Sequence, residues 1–322
     1  MQSSNHRYLI PLCFIGVMFF AIGFALGVNS YLVPLLEKAL AISSGESYLV
    51  IAATFSSFLI FGYPASMLIA RIGYKRTMAL SFVMFAMGFA LFIPSAAYES
   101  FLLFLGASFL CGMGNTFLQA TVNPYITILG SIESAAKRIS IMGICNKLAW
   151  PAAPLFLAAV IGKKIEAVQL IDIQRPFVWI IVIFLVLGLT VCVAPLPEVK
   201  AVGEDEECVD DCPYAAGKRS IWQFPHLLLG CLALFLYVGV ETLALATTVD
   251  YATALGLSDP QQYALFPSIG LVTGYVCGIV FIPRWLKQDT ALKICAWLAV
   301  FGSLLIVLTP AEWSIWAVSI IA

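Results

Sequence analysis

Charge is what this sequence has least of. Lysine, arginine, aspartate and glutamate together make up 11% of its 322 residues, and its two histidines, His6 and His226, stand at the edges of apolar stretches. With 61% hydrophobic residues and a mean hydropathy of +0.98, no water-soluble fold could hide the apolar surface, so the chain reads as an all-α polytopic membrane protein. A net charge of -1 offers nucleic acid no basic face. The apolar stretches hold neither paired acids nor a nucleophile with its base, so no enzyme and no cofactor are expected. No Gly-x4-Gly-Lys-Ser/Thr loop is present to bind ATP. Of nine cysteines only Cys208 and Cys212 sit together, in GEDEECVDDC. Two thiols are half a zinc site and a reducing cytosol disfavours a bridge, so no metal is expected, and the other cysteines read as small packing residues. No cleavable leader is expected either, since the first apolar stretch is far longer than a signal-peptide core and has no small-residue cleavage site.

What is there is a succession of apolar runs. Six fall near 9–36, 47–70, 77–96, 101–129, 139–161 and 176–195, each long enough to cross a bilayer at about 1.5 Å per residue. A polar segment from Pro197 to Gln223 follows, then runs near 225–249, 261–283 and 291–309, and a last one from Trp313 that stops at Ala322. The expected organisation is a six-helix bundle over 1–196, a cytoplasmic linker over 197–223, and a second bundle over 224–322 truncated in its tenth helix. Cationic residues orient it. The segments on the N-terminal side collect Arg7, Arg71, Lys75, Arg76, Lys137, Arg138, Lys200, Lys218, Arg219, Arg284, Lys287 and Lys293, against Lys38, Lys163, Lys164 and Arg175 opposite. That bias predicts a cytoplasmic N-terminus, although Lys163 and Lys164 run against it.

The fourth span carries Asn115, Gln119 and Asn123 at i, i+4, i+8, where successive steps drift by only about 40° around the helix. Three neutral amides therefore share one stripe. An unpartnered buried amide costs roughly 2 to 7 kcal/mol, so the stripe faces protein or water and not lipid. A row of uncharged donors and acceptors suits the hydroxyls of a neutral polar ligand, and Pro124 loosens the backbone beside it. In the fifth span Asn146 and Trp150 are i, i+4, which puts an amide and a large ring on one face, the pair that a pyranose would use. The same amides would also serve as hydrogen bonds between helices, at about 1 kcal/mol each, and Trp150 as packing.

Glu241 is an acid well inside a span, where a charge costs roughly 2.5 to 3.5 kcal/mol. Four roles are open to it: carrying a coupling proton, coordinating sodium, accepting a sugar hydroxyl, or pairing with Lys147. Lys147 is itself either part of a pathway or able to reach the cytoplasmic surface with its stem buried.

A shift of 212 residues places Gly27-Val28-Asn29-Ser30 on Gly239-Val240-Glu241-Thr242, Ser56 on Ser268, and Gly62-Tyr63 on Gly274-Tyr275. Parallel repeats of six helices with a cytoplasmic linker are the build of the major facilitator superfamily, where ligand lies at midplane between halves that open alternately. Phe24-Ala25-Leu26-Gly27-Val28-Asn29-Ser30-Tyr31-Leu32-Val33-Pro34, the Leu118 to Gly130 block LQATVNPYITILG, and Tyr237-Val238-Gly239-Val240-Glu241 resemble the fucose/proton symporter and glucose/galactose transporter family of that superfamily. Arg71-Ile72-Gly73-Tyr74-Lys75-Arg76 is similar to the superfamily's second-loop motif, with Ala70 where an acid is usual.

The resemblance implies a secondary transporter importing a neutral hexose such as glucose, galactose or fucose by proton or sodium symport, acting as a monomer in a bacterial inner membrane. Fucose symporters have an acid after the asparagine that matches Asn29 and another in the fourth helix; Ser30 and Gln119 stand there instead. Gln119 resembles the glucose/galactose branch, whereas Ser30 departs from both. Asn146 matches an asparagine that contacts sugar. The implied set is Asn29, Asn115, Gln119, Asn123, Asn146 and Trp150 for sugar, with Glu241 and Lys147 for the ion. The competing expectations are a permease or exporter of a non-sugar solute on the same fold, or a fragment that transports nothing.

Overall fold

The structure, a computed structural model, describes residues 5–129, 134–163, 168–194, 196, 220–257, 263, 265–282 and 284–321, with the side chains of 5–9, 30, 44, 221, 246, 247, 250, 311 and 312 left aside. Cys208, Cys212 and almost all of the 197–223 linker lie outside these residues. The described chain is helical: α1 Asn5–Leu40, a single turn α2 Ser44–Ser47, α3 Leu49–Ile72, α4 Tyr74–Ala97, α5 Phe101–Ile128, α6 Ala135–Ile161, α7 Gln174–Val193, α8 Pro225–Ala254, α9 Leu265–Phe281, α10 Gln288–Leu308 and α11 Ala311–Ile321. Eight of the described helices are long and apolar enough to cross a membrane, and α9 is a shorter apolar helix. Two compact units divide between Val199 and Lys200.

In the first unit α5 packs on α4 and α3, α1 on α6, and α4 on α7. The α4–α7 seam follows from sequence spacing. Phe82, Phe85, Phe89 and Phe92 recur at three and four residues, which turns all four rings to one side of α4. All are buried, and Phe184 meets Phe89 and Phe85 edge-on at ring centroids 5.1 and 5.2 Å apart, while Phe177 stacks on Phe92 at 5.0 Å. Lipid is as apolar as these rings, so their contribution is close dispersion contact and not removal from water.

Where helices must come closer, side chains vanish. A Cβ on Gly23 would stand 2.0 Å from the Asn146 carbonyl oxygen, and one on Gly27 would stand 2.3 Å from that of Trp150. The Gly23-x3-Gly27 step thus brings the backbones of α1 and α6 into direct contact. Gly112 does the same between α5 and α3, where a Cβ would fall 2.2 Å from the Thr54 carbonyl oxygen. At the C-terminal end of α5, the Arg138 guanidinium of α6 donates to the Ile126 and Thr127 carbonyls at 3.0 Å each and to the Ser134 hydroxyl, capping a helix end whose last carbonyls have no partner within the helix. Lys75 caps the end of α7 by donating to the Ala194 carbonyl at 2.8 Å.

In the second unit α11 packs on α10, α9 and α8. The Phe266 and Trp316 rings lie 4.3 Å apart, and the Tyr251 phenol donates to the Ser314 hydroxyl at 3.0 Å. Several helices outrun their apolar runs, as α1 does at both ends. The apolar run ends at 249, yet α8 continues to Ala254, because backbone hydrogen bonding carries the helix on through polar residues; Asp250 is therefore a second acid of that helix.

Candidate functional site

The stripe on α5 grades from inside to outside. Asn115 is 1% exposed, Gln119 is half-buried and Asn123 is exposed. Gln119 donates through Nε2 to Asn115 Oδ1 at 3.0 Å, the i, i+4 contact the spacing predicts. The other end of Asn115 is unusual. Its Nδ2 is buried and has no hydrogen-bond partner, an arrangement that costs about 1–3 kcal/mol. Beside the stripe, the Thr116 and Ser57 hydroxyls lie 3.3 Å apart and tie α5 to α3.

Asn29, on α1, is taken up in a different network. It is 4% exposed and donates through Nδ2 to Thr54 Oγ1 at 2.7 Å; the Thr54 hydroxyl in turn donates to the carbonyls of Val50 and Ser108, at 3.0 and 3.3 Å. One threonine hydroxyl so links α1, α3 and α5. Asn146 on α6 is half-buried and spends one N–H on the Phe19 carbonyl of α1, at 3.0 Å. Phe19, Gly23 and Gly27 are successive i+4 positions of α1, so the glycine seam fixes Asn146 against that helix. Trp150 and Lys147 are half-buried. A cavity of about 520 Å³ lies at the far end of α6 and the start of α7, lined by Asp172, Gln174, Arg175 and apolar side chains, and contains none of these amides.

In the second unit Glu241 is half-buried on α8 one turn after Tyr237, and its charge acts on the phenols of Tyr237 and of Tyr275 on α9. Cys295 of α10 stands by Tyr237. Among the described residues no group of three His, Cys, Asp or Glu converges as a metal site would require.

Sequence reasoning passed over several of these groups. Gly23-x3-Gly27 is a readable small-residue signal, and Tyr237 lies one turn before Glu241. Nothing in the sequence pointed to Thr54, whose partners lie 25 and 54 residues away.

Residues 13–322 match the model of the Major Facilitator Superfamily. The chain belongs to the Major Facilitator Superfamily. Within the superfamily it is 31% identical over 326 aligned residues to a glucose/galactose transporter of Brucella abortus, covering 98% of this chain and 77% of the relative. It is 24% identical to the L-fucose-proton symporter of Escherichia coli, covering 88% of this chain and 68% of the relative. Among solved structures it superposes on FucP, a Major Facilitator Superfamily transporter in the outward conformation, with a TM-score of 0.80 at 22% identity, over 98% of this chain and 81% of that one. The fold is that of the superfamily.

Proposed function

We propose that this protein is a secondary transporter that moves a neutral hexose, glucose or galactose before fucose, across the membrane by alternating access with ion symport. The observation that carries the reading is the pair of half-buried neutral amides, Gln119 and Asn146, each held by a single hydrogen bond and each left with further donors and acceptors to offer. A charged solute would call for an opposite charge at that depth; hydroxyls call for amides. In this reading Gln119, Asn123 and Asn146 bind hydroxyls and Trp150 packs on the apolar face of the ring. Asn115 holds Gln119 in place, and Asn29 with Thr54 sets the helix separation behind them. Glu241 carries the coupling ion, and Lys147 serves the same pathway. The names of the Brucella and Escherichia relatives support both the sugar and the proton.

The transporter sits in a bacterial inner membrane as a multi-pass monomer with its N-terminus in the cytoplasm, as the cationic bias of the loops supports. It needs no cofactor or nucleic-acid partner and carries out no covalent chemistry. Exchange of labelled glucose by membranes holding the protein, competed by unlabelled galactose, fucose and charged sugars, tests the substrate. Competition by galactose and none by gluconate is expected; equal competition by gluconate sinks the neutral-sugar reading. Glu241→Gln is expected to keep sugar exchange and to flatten its dependence on pH or sodium.

A further inference from the structure

We propose that the cavity at the far end of α6 and the start of α7 binds an anionic phospholipid, its phosphate on Arg175 and the start of one acyl chain along Ile171 and Val178. Five spans, α1 and α3 to α6, precede the cavity, so the lipid comes from the leaflet opposite the start of α1. The helices that wall the cavity fix its height. Ile161 is the last residue of α6, and Ile93 stands four residues before the end of α4, about 6 Å at 1.5 Å per residue. That is the depth at which headgroups give way to hydrocarbon. Trp179, next to the lining residue Val178, is 54% exposed, in keeping with a tryptophan at a membrane interface.

The polar groups of the cavity differ in what they have left to offer. Asp172 is committed: Lys163 donates to its two carboxylate oxygens at 2.7 and 2.8 Å, and the Gln169 backbone N–H donates to Oδ2 at 3.0 Å. Three of about four acceptor positions on the carboxylate are thus filled. Gln174 donates through Nε2 to the Ile93 carbonyl of α4 at 3.4 Å. Arg175 lines the same space, yet among the described residues its guanidinium makes no hydrogen bond or ion pair. A fixed fork of N–H donors without an acceptor suits a phosphate. The committed carboxylate tells against an ethanolamine headgroup, whose ammonium would need a free acceptor beside that phosphate. The remaining wall decides between lipid and a free anion. Ile171 and Val178 line the cavity and are 52% and 50% exposed, so an anion from water would meet hydrocarbon where an acyl chain would cover it. A molecule with an anionic head and an alkyl chain satisfies both walls at once, and in doing so joins α4, α6 and α7.

The test is binding of phosphatidylglycerol to the full chain in detergent micelles, read as lipid retained in native mass spectrometry and as the thermal unfolding midpoint, with phosphatidylethanolamine and inorganic phosphate in parallel. Native protein is compared with Arg175→Gln, Ile171→Glu and Lys137→Gln; Lys137 is an exposed cation at the other end of α6 and serves as the control. Native protein is expected to bind phosphatidylglycerol about tenfold more tightly than Arg175→Gln, which loses a charged contact to the phosphate. Ile171→Glu sets a like charge at the mouth and is expected to weaken binding similarly, while Lys137→Gln leaves it unchanged. Phosphatidylethanolamine is expected to bind more weakly, and inorganic phosphate to leave the midpoint where it was. Undiminished retention by Arg175→Gln overturns the proposal, and so does an equal loss in Lys137→Gln, which would mark diffuse attraction to cationic helix ends. Should Arg175→Gln fail to fold, native-like binding by Ile171→Glu overturns it equally. Inorganic phosphate that raises the midpoint as phosphatidylglycerol does overturns the lipid, and equal retention of phosphatidylethanolamine overturns the choice of headgroup. Each of these results leaves the sugar reading standing, because Gln119 and Asn146 lie outside the cavity.

Discussion

Replacing Gly23 with alanine tests the α1–α6 seam on which Asn146 depends. The added Cβ would stand 2.0 Å from the Asn146 carbonyl oxygen and 3.1 Å from the Ala149 Cβ. Carbon and carbonyl oxygen rest no closer than about 3.3 Å, so the two helices must part by about 1.3 Å at this point. Parting stretches the 3.0 Å bond from Asn146 Nδ2 to the Phe19 carbonyl beyond useful length. Overpacking of this kind costs about 1–3 kcal/mol and the lost interhelical bond about 0.6, while alanine returns up to about 1 kcal/mol of helix propensity. The net expectation is a loss of about 2 kcal/mol, roughly thirtyfold in the folded ratio. Gly62→Ala is the control, because a Cβ there meets nothing within 4 Å and only the propensity gain remains. Unfolding of both variants in mixed micelles should therefore move in opposite directions. If Gly23→Ala and Gly62→Ala shift stability alike, the close approach of α1 and α6 is wrong.

Other perturbations follow from the same contacts. Thr54→Val keeps the side-chain shape but strips Asn29 of its acceptor, and is expected to cost about 1–2 kcal/mol in the same micelle assay, with Thr54→Ser closer to native. Arg138→Ala uncovers the Ile126 and Thr127 carbonyls, so amide exchange around the α5–α6 turn should quicken; Arg138→Lys, lacking the forked geometry, should rescue only in part. Phe184→Ala removes the ring shared by Phe82, Phe85 and Phe89 and is expected to cost about 3–5 kcal/mol, read from unfolding midpoints.

The membrane-crossing helices were legible because each rests on a run of twenty or so apolar residues, the strongest signal a membrane imposes. The stripe of Asn115, Gln119 and Asn123 was legible for the same reason: helical periodicity fixes direction around an axis. Depth along that stripe was not. Asn115 is sealed and Asn123 open because neighbouring helices cover one end and leave the other, and spacing within α5 carries no record of where α3 and α4 lie. The partner of Asn29 was illegible on similar grounds, since Thr54 reads in the sequence as an unremarked residue of an apolar run. The end of α8 lies past its apolar run because hydropathy marks where lipid stops, whereas the backbone ladder continues through Asp250 to Ala254.

Whether the α5 amides bind a ligand or merely fasten helices comes down to Asn115. A residue kept only for fastening should satisfy its own groups, yet Asn115 Nδ2 is buried and unpartnered, and the one bond the side chain accepts comes from Gln119 in the same helix, which fastens α5 to nothing. Asn115→Ala removes an orphan donor worth about 1–3 kcal/mol and forfeits one bond of about 0.6 kcal/mol, so the variant should be more stable by about 1 kcal/mol. The same change releases the Gln119 amide, so sugar exchange should show a raised KM. Higher stability with poorer exchange is the signature of a side chain retained for binding against the interest of the fold. An Asn115→Ala protein that is less stable than native, with its KM unaltered, would mean that the stripe holds helices and nothing else.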